Sequence, residues 1–149
     1  MNIIKIRQAE SKDKKLIYNW FNLKESIFYK LKTKKKISLR EHEIWFNKTV
    51  RQKFNKLLII EENKSSIGQI RLELIKKNIF TIDIFILKEH RKRGIASEAL
   101  KFSEQLLKRK SKVISIVKKN NLNSLKFFIS NDYKIIKNSN ISWYLEKII

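Results

Sequence analysis

The segment 82–100, IDIFILKEHRKRGIASEAL, constrains the fold of this chain more than any other stretch. An apolar strand pattern ends at Leu87, a basic loop runs from Lys88 to Arg93, and a helical pattern begins at Gly94. The first amides of a helix lack intrahelical partners and carry a partial charge of about +0.5, so a helix start that follows cations suits an anion. We predict a diphosphate site here, with a solvated basic turn as the alternative. Neither a Walker A nor a GxGxxG pattern is present, which argues against a nucleotide triphosphate or dinucleotide.

Composition narrows the class of protein. The chain has 149 residues and is 42% hydrophobic, so we expect one domain over residues 1–149 with a real core. It has no Cys, which excludes disulfides, thiolate zinc sites and a cysteine nucleophile. No apolar run approaches the ~20 residues of a membrane span, and we expect a cytoplasmic protein without a membrane partner. The formal charge is +21, but the cations are scattered along the chain, so a nucleic-acid-binding module is the less favoured alternative.

Periodicity predicts an α/β fold in the order β-α-α-β-β-β-α-β-α-β-β, with short polar breaks that imply an antiparallel meander. The segment Ser38 to Glu41 is a capping box, after which His42, Trp45, Phe46 and Val50 are predicted to share one helix face. A lysine-rich loop is expected at 33–37. The predicted strands are 2–8, 56–62, 67–75, 79–87, 113–117, 133–137 and 141–147, and the predicted helices begin near Ser11, Ser38, Gly94 and Asn121.

Two motifs resemble one enzyme family. Residues 91–96, RKRGIA, fit the R/Q-x-x-G-x-G/A signature of the GNAT superfamily of acetyl-CoA-dependent N-acetyltransferases. The stretch from Val117 to Tyr133 resembles the family's V-x-x-x-N-x-x-A/S-x-x-L-Y-x-x-x-G-F at matching spacing, with Phe128 in the place of the Tyr. The resemblance implies a single GNAT-like domain with a mixed, mostly antiparallel sheet of about seven strands and flanking helices.

The resemblance also implies a cofactor site. By this resemblance, we expect strands four and five to splay apart and the pantetheine arm of acetyl-CoA to enter the gap and pair with backbone near Ile84, Phe85 and Ile86. No metal ion is implied. The remaining residues implied to contact the cofactor, on the pyrophosphate loop and across the gap, are Arg91, Lys92, Arg93, Gly94, Ile95, Ala96, Ser97, Asn121, Ser124 and Phe128.

The first half of the chain resembles a narrower group. Residues 13–20 and 37–46 look like the "D…W.N…I…EH..WF" pattern of GNAT enzymes that acetylate amino groups on nucleotide-linked sugars, such as those of pseudaminic acid biosynthesis. The implied acceptor contacts are His42, Trp45, Phe46 and Arg71, since aromatic planes and cations suit a sugar nucleotide. The alternative is that Trp45 and Phe46 belong to the helix core and that His42 lies on the surface.

Catalysis by direct transfer needs a proton acceptor and a donor for the tetrahedral oxyanion. The candidate bases are His42, Asp83 and Glu73, the carboxylates acting through a water, and the implied oxyanion donor is backbone near Ile86. Asp83 interrupts an apolar strand; its alternative is an outward-facing residue paired with a surface Lys. Phe128 cannot supply the proton that a Tyr gives the departing thiolate elsewhere in the family.

The sequence therefore predicts transfer of an acetyl group from acetyl-CoA to a primary amine. The favoured acceptor is the 4-amino group of a UDP-linked deoxy sugar, and the alternative is the N-terminal amine of a protein, as in the ribosomal-protein-type enzymes. The expected partner is a small molecule, and a homodimer is left open. We expect Gly68 to meet a backbone requirement where the third strand begins. We expect His90 to be structural or to face the cofactor.

Overall fold

The computed structural model describes residues 2–30 and 35–149, so the predicted lysine-rich loop at 33–37 lies partly outside the described residues. The observed order confirms the predicted one apart from an added short helix. The elements are β1 (Ile4–Gln8), α1 (Lys14–Phe21), α2 (Lys24–Phe28), α3 (Leu39–Arg51), β2 (Lys56–Glu62), β3 (Ser65–Lys76), β4 (Ile79–Ile86), α4 (Ile95–Gln105), β5 (Lys112–Lys118), α5 (Leu122–Ser130), β6 (Lys134–Asn138) and β7 (Ser142–Ile148).

The short helix α2 was not predicted from the sequence. It has five residues, and none of them is buried, so the sequence shows no apolar periodicity at this position. Single turns of 3-10 helix precede α1, at Ser11–Asp13, and follow β4, at Lys88–His90.

The sheet has seven strands in the order β1-β2-β3-β4-β5-β7-β6. Every neighbouring pair is antiparallel except β4 and β5, which run parallel. This confirms the predicted mixed, mostly antiparallel sheet of a single α/β domain. The one parallel pair lies in the middle of the sheet, where the chain crosses from β4 through α4 to β5.

Helices pack against both faces of the sheet. Successive residues of β2 alternate between the two sides, as the strand period requires: Leu58 and Ile60 join the core beneath α4, whereas Leu57 and Ile59 pack with the helices α1 and α3. On that second side, Ile17, Trp20 and Phe46 are the buried hydrophobic residues that the helices contribute. We call the side of the sheet that α1 and α3 cover the α1–α3 face.

The helix α3 begins at the predicted capping box. Ser38 Oγ accepts a hydrogen bond from Glu41 N–H, and the Glu41 carboxylate accepts one from Ser38 N–H, each at 3.2 Å. The predicted inward position of Val50 is wrong: it is 44% exposed, and Thr49 is buried instead. Position 49 lies seven residues, or nearly two full turns, after the buried His42, whereas position 50 is rotated by about a further 100°.

The start of α1 is fixed to the sheet by a partly buried ion pair. Arg7 donates to both oxygens of Asp13, at 2.7 and 2.9 Å, and its Nε donates to Glu61 at 2.6 Å. Burial alone would raise the pKa of Asp13, but the hydrogen bonds from Arg7 and from Glu10 N–H outweigh burial and hold it below its usual value. The ion pair thereby fixes where α1 meets the α1–α3 face.

Gly68 lies inside β3, opposite Ile86 at the end of β4. A Cβ atom at this position would lie 2.3 Å from the carbonyl oxygen of Phe85, a distance that real side chains do not adopt. The predicted backbone requirement is therefore confirmed, although it concerns the strand interior rather than its start. The close approach keeps the end of β4 seated against β3.

Candidate active site

The central parallel pair separates after three residues. β4 pairs with β5 only where Ile79, Phe80 and Thr81 meet residues 112–114, yet β4 continues to Ile86 and β5 to Lys118. The two strands therefore diverge and leave a wedge between them, which we call the β4–β5 gap. Its position agrees with the splay that the family resemblance implies.

Hydrogen-bond alternation shows which backbone atoms of β4 face the gap. Leu87, just after β4, donates its N–H to the carbonyl of Ile67 in β3 at 2.8 Å, so Leu87 and Ile67 form a hydrogen-bonded pair. Opposite pairs in an antiparallel ladder alternate, so Phe85 also bonds to β3, whereas Ile84 and Ile86 turn their N–H and C=O groups away from it. The prediction for backbone near Ile84, Phe85 and Ile86 is thus refined, because only Ile84 and Ile86 present backbone to the gap.

The loop after β4 leads into a helix start that is open to solvent. Gly94 is the N-cap of α4 with φ +79°, a left-handed conformation that favours glycine, and no side chain caps the helix. A Cβ atom at Gly94 would have no neighbour within 4 Å. The first-turn amides of Ile95, Ala96 and Ser97 lie at this open end. The local geometry therefore fits the predicted pyrophosphate position.

Of the three cations ahead of this helix, Arg91, Lys92 and Arg93, the two arginines already pair with carboxylates. Arg93 forms two hydrogen bonds with Glu62 at the end of β2, and His90 Nδ1 lies 2.6 Å from the same carboxylate. The hydrogen bond from Arg93, with a further one from His90, lowers the pKa of Glu62 below its usual value. His90 thus has a structural role in fixing the loop. Lys92, with φ +60°, is exposed.

Arg91 joins the loop to α2 and to the β4–β5 gap. Its Nε donates to the carbonyl of Ile86 at 2.7 Å, and its two terminal nitrogens donate to the two carboxylate oxygens of Glu25, one of them at 3.0 Å. Its guanidinium also lies over the ring of Phe85, 5.9 Å from the centroid. Sequence reasoning missed Glu25 and Glu62, because nothing in their local pattern indicates a partner that is far away in the chain.

The helix α2 bridges the open end of the gap. Glu25 holds Arg91 just beyond β4, and at the other end Lys118 of β5 donates to the carbonyl of Phe28 at 2.8 Å. The Lys118 ammonium also lies 5.3 Å from the centre of the Phe28 ring. A helix absent from the sequence prediction thus closes one side of the predicted acetyl-CoA site.

Across the gap, the predicted cofactor contacts of α5 serve structure as well. Asn121 Oδ1 accepts the N–H of Ser124 at 3.2 Å and so caps α5. Phe128 is buried, 5.1 Å from the ring of Phe127 and 5.0 Å from that of Tyr133, so its predicted contact with cofactor is not supported by the geometry. Asp132 adopts φ +70° at the place where the resembling motif has Gly.

His42 is a core residue, which corrects both expectations for it. It is 1% exposed, and the rings of Tyr18, Phe21 and Trp45 surround it at centroid distances of 5.5 to 5.7 Å. Its Nε2 lies 2.7 Å from the carbonyl of Lys14 and must donate, since a carbonyl only accepts. Burial is the main cause that lowers its pKa, and it therefore favours the neutral form of the ring. A neutral, enclosed imidazole has no access to an acceptor amine.

The other predicted acceptor residues, Trp45, Phe46 and Arg71, differ in how far they are buried. Phe46 is 1% exposed and belongs to the core, so the predicted substrate contact is wrong for it. Trp45 is half-buried and packs edge-on against Phe21 at 5.2 Å. The guanidinium of Arg71 lies over the Trp45 ring, 5.3 Å from its centroid. Trp45 and Arg71 are therefore the two that the fold leaves at an accessible edge.

Asp83 lies on the α1–α3 face of β4, and its side chain is 50% exposed. Gln69 Nε2 donates to Asp83 Oδ2 at 3.1 Å, and a terminal nitrogen of Arg71 lies 3.9 Å from the same oxygen. Among the described residues, the partners of Asp83 are therefore Gln69 and Arg71, and not the surface Lys of the alternative. Glu73, the other candidate carboxylate, accepts from Arg71 Nε at 2.8 Å. Three residues of strand separate Asp83 from Ile86, or about 10 Å, so Asp83 does not contact Ile86 directly.

Comparison with known proteins identifies the family. The model of the acetyltransferase (GNAT) domain matches residues 4–134. The chain belongs to the GNAT acetyltransferases. It is accordingly an acetyl-CoA-dependent N-acetyltransferase, which confirms the enzyme class and the co-substrate expected from the sequence. No curated protein sequence is significantly similar to it.

Solved structures share this GNAT fold over almost the whole chain. An acetyltransferase of the family from Streptococcus pneumoniae is 18% identical with a TM-score of 0.77, covering 99% of this chain and 100% of that one. Spermidine N-acetyltransferase from Vibrio cholerae, in complex with CoA and spermine, is 18% identical with a TM-score of 0.78, at 97% and 95% coverage. Ribosomal-protein-alanine N-acetyltransferase from Brucella melitensis is 12% identical with a TM-score of 0.76, at 97% and 99% coverage. At these identities, the likeness concerns the fold.

Within residues 2–30 and 35–149, no group of three or more His, Cys, Asp or Glu side chains is arranged to hold a metal ion. None of the helices in this part of the chain has the length and apolar character needed to cross a membrane.

Gly94→Trp should weaken acetyl-CoA binding by about 100-fold or more, because the indole would fill the open space at the start of α4, and each 1.4 kcal/mol lost is a factor of ten. The matched control is Gly94→Ala, which carries the same left-handed strain, about 1–2 kcal/mol, with little bulk. Isothermal titration calorimetry measures both affinities. An unchanged affinity for Gly94→Trp in a folded protein would contradict the loop position.

Glu25→Gln should tighten acetyl-CoA binding by about 3- to 10-fold, since it releases Arg91 from a carboxylate that competes with phosphate, a gain of roughly 1 kcal/mol. Glu89→Gln in the same loop removes one negative charge from an exposed side chain and serves as the control for long-range electrostatics. Weaker binding by Glu25→Gln than by Glu89→Gln would show that the Glu25–Arg91 pair supports the site instead of competing with the cofactor.

Proposed function

We propose that this GNAT enzyme transfers the acetyl group directly from acetyl-CoA to a primary amine within a ternary complex. The observation that carries the proposal is the β4–β5 gap. There, Ile84 and Ile86 turn backbone groups away from β3, beside an uncapped helix start at Gly94. A thioester laid along β4 with its diphosphate at the helix start satisfies both features.

The reaction has a simple balance of bonds and charges. The amine nitrogen attacks the thioester carbon, a C–N bond forms, and negative charge collects on the carbonyl oxygen. The N–H of Ile86 is the proposed donor to that oxyanion. Collapse of the intermediate breaks the C–S bond and releases the CoA thiolate. Because a thiol has a pKa of roughly 8.5, the thiolate can leave without a protein acid, and Phe128 does not need to supply one.

Asp83 is the proposed proton acceptor. Its carboxylate is half exposed on the α1–α3 face of β4, the strand that carries Ile86, and it receives the amine proton through a water. His42 is excluded from this role by its burial and by its Nε2 bond to Lys14. Glu73 is less suitable because Arg71 Nε already occupies its carboxylate at 2.8 Å.

The proposed acceptor is the amino group of a nucleotide-linked sugar, in particular the 4-amino group of a UDP-linked deoxy sugar. With His42 and Phe46 in the core, the support consists of Trp45 and Arg71 at the accessible edge, which suit a ring and a diphosphate. The net charge of +21 also attracts an anionic acceptor and repels a polyamine. An N-terminal amine remains the second candidate, since the fold is shared with a ribosomal-protein-alanine N-acetyltransferase.

Three acceptors separate these possibilities: a UDP-linked 4-amino-6-deoxy sugar, a peptide with N-terminal alanine, and spermidine. With acetyl-CoA present, we expect the sugar nucleotide to give the highest kcat/KM, by about tenfold or more, or ~1.4 kcal/mol of transition-state stabilisation. Release of free CoA is followed with a thiol reagent, and Gly94→Trp provides the background. Preference for the peptide or for spermidine would reject the sugar assignment.

Asp83→Asn should lower kcat by about 10²- to 10⁴-fold, the contribution of a positioned general base, and leave the KM for acetyl-CoA within about twofold. Glu73→Gln is the matched control, a carboxylate-to-amide change on the same face, and we expect it to retain kcat within about threefold. Steady-state kinetics on the best acceptor decide. If Glu73→Gln has the larger defect, the two carboxylates exchange roles.

A further inference from the structure

Gln69 is a buried amide with one of its two polar atoms unsatisfied. It lies on β3, is 0% exposed, and donates from Nε2 to Asp83 Oδ2 at 3.1 Å. Within residues 2–30 and 35–149, its Oε1 is buried and accepts no hydrogen bond. A buried carbonyl oxygen without a donor lowers the free energy of unfolding, so packing alone does not explain why a glutamine lies at position 69.

The orientation of the amide is dictated by Asp83. An ionised carboxylate only accepts hydrogen bonds, so the nitrogen of Gln69 must face it and the oxygen must turn into the apolar layer. The unsatisfied Oε1 is therefore the direct consequence of the Gln69–Asp83 hydrogen bond. An apolar residue at position 69 would remove the unsatisfied atom, but it would also release Asp83.

Both contacts to Asp83 fall on a single oxygen. Gln69 and Arg71 approach Oδ2, at 3.1 and 3.9 Å, whereas Oδ1 makes no hydrogen bond with the part of the chain that the structure describes. A half-exposed aspartate on a strand would otherwise sample several rotamers. Holding one oxygen fixes the direction in which the other can accept a proton.

We propose that Gln69 is a positioning residue of this enzyme: it holds Oδ2 of Asp83 so that Oδ1 faces the water that carries the proton from the amine. This inference rests on the proposed role of Asp83 as the base. The amine proton moves to the water, a water proton moves to Oδ1, and Gln69 itself neither gains nor loses a proton. The cost of burying its Oε1 without a donor is thus tied to catalysis.

The decisive variant is Gln69→Leu, with Gln69→Met as the unbranched replacement should leucine not fit. We expect the χ1 angle of Asp83, measured by three-bond NMR couplings without any acceptor, to change from one rotamer to an average of several. The Tm should be unchanged or higher. The control is Ser111→Ala, which removes another buried, unpartnered oxygen and should leave Asp83 ordered. A single Asp83 rotamer retained in both Gln69 variants would overturn the proposal.

Kinetics on the UDP-linked 4-amino-6-deoxy sugar, or on the peptide or spermidine if the sugar is not turned over, test the same claim. We expect Gln69→Leu to lower kcat by about tenfold or more, with the KM for acetyl-CoA unchanged. In the Asp83→Asn background it should cause no further loss, since Gln69 acts only through that carboxylate. A normal kcat, or an additive loss in the double variant, would overturn the inference. A normal kcat for Asp83→Asn alone would instead overturn the base assignment.

Discussion

The pairing of β4 with β5 stops after Thr81, and the rest of the site depends on that divergence. Backbone groups left unpaired in the middle of a sheet cost about 1–3 kcal/mol each when they are buried, so they need other partners. Arg91 meets this requirement at one end, because its Nε donates to the carbonyl of Ile86. The N–H groups of Ile84 and Ile86 are the proposed contacts for a thioester. A sheet with continuous pairing here would have no such opening.

Carboxylates organise this site in a chain with 35 Lys and Arg residues against 14 Asp and Glu residues. Glu62 holds Arg93 and His90 in the loop, and Glu25 holds Arg91 and thereby fixes α2 over the gap. Asp83 is held in turn by Gln69. The loop cations are therefore placed before any anion arrives, and the cofactor has to compete with Glu25 for Arg91. Glu62 thereby reduces the ordering cost of binding, because it fixes Arg93 and the loop, whereas Glu25 opposes binding by occupying Arg91.

Local signals predicted most of the fold and part of the site. The capping box at Ser38, the meander and the loop into Gly94 are set by residues close in sequence, and the structure confirms them. The features that sequence reasoning missed depend on distant partners: α2 has no buried residue of its own, and Glu25 meets Arg91 across 66 positions. The burial of His42 does not follow from its sequence position, because a histidine one turn into an amphipathic helix can lie at either edge of the apolar face, and tertiary packing decides which.

Every proposed role requires acetyl-CoA to lie along β4 in the β4–β5 gap with its diphosphate at the start of α4. Amide NMR of the ¹⁵N-labelled protein, titrated with CoA, tests it most directly. We expect the largest shift changes and slowed hydrogen exchange at Ile84, Ile86 and the first-turn amides 95–97. Shift changes confined to other surfaces, such as the depression between α3 and β2 near Lys53, with Ile86 unaffected, would contradict it.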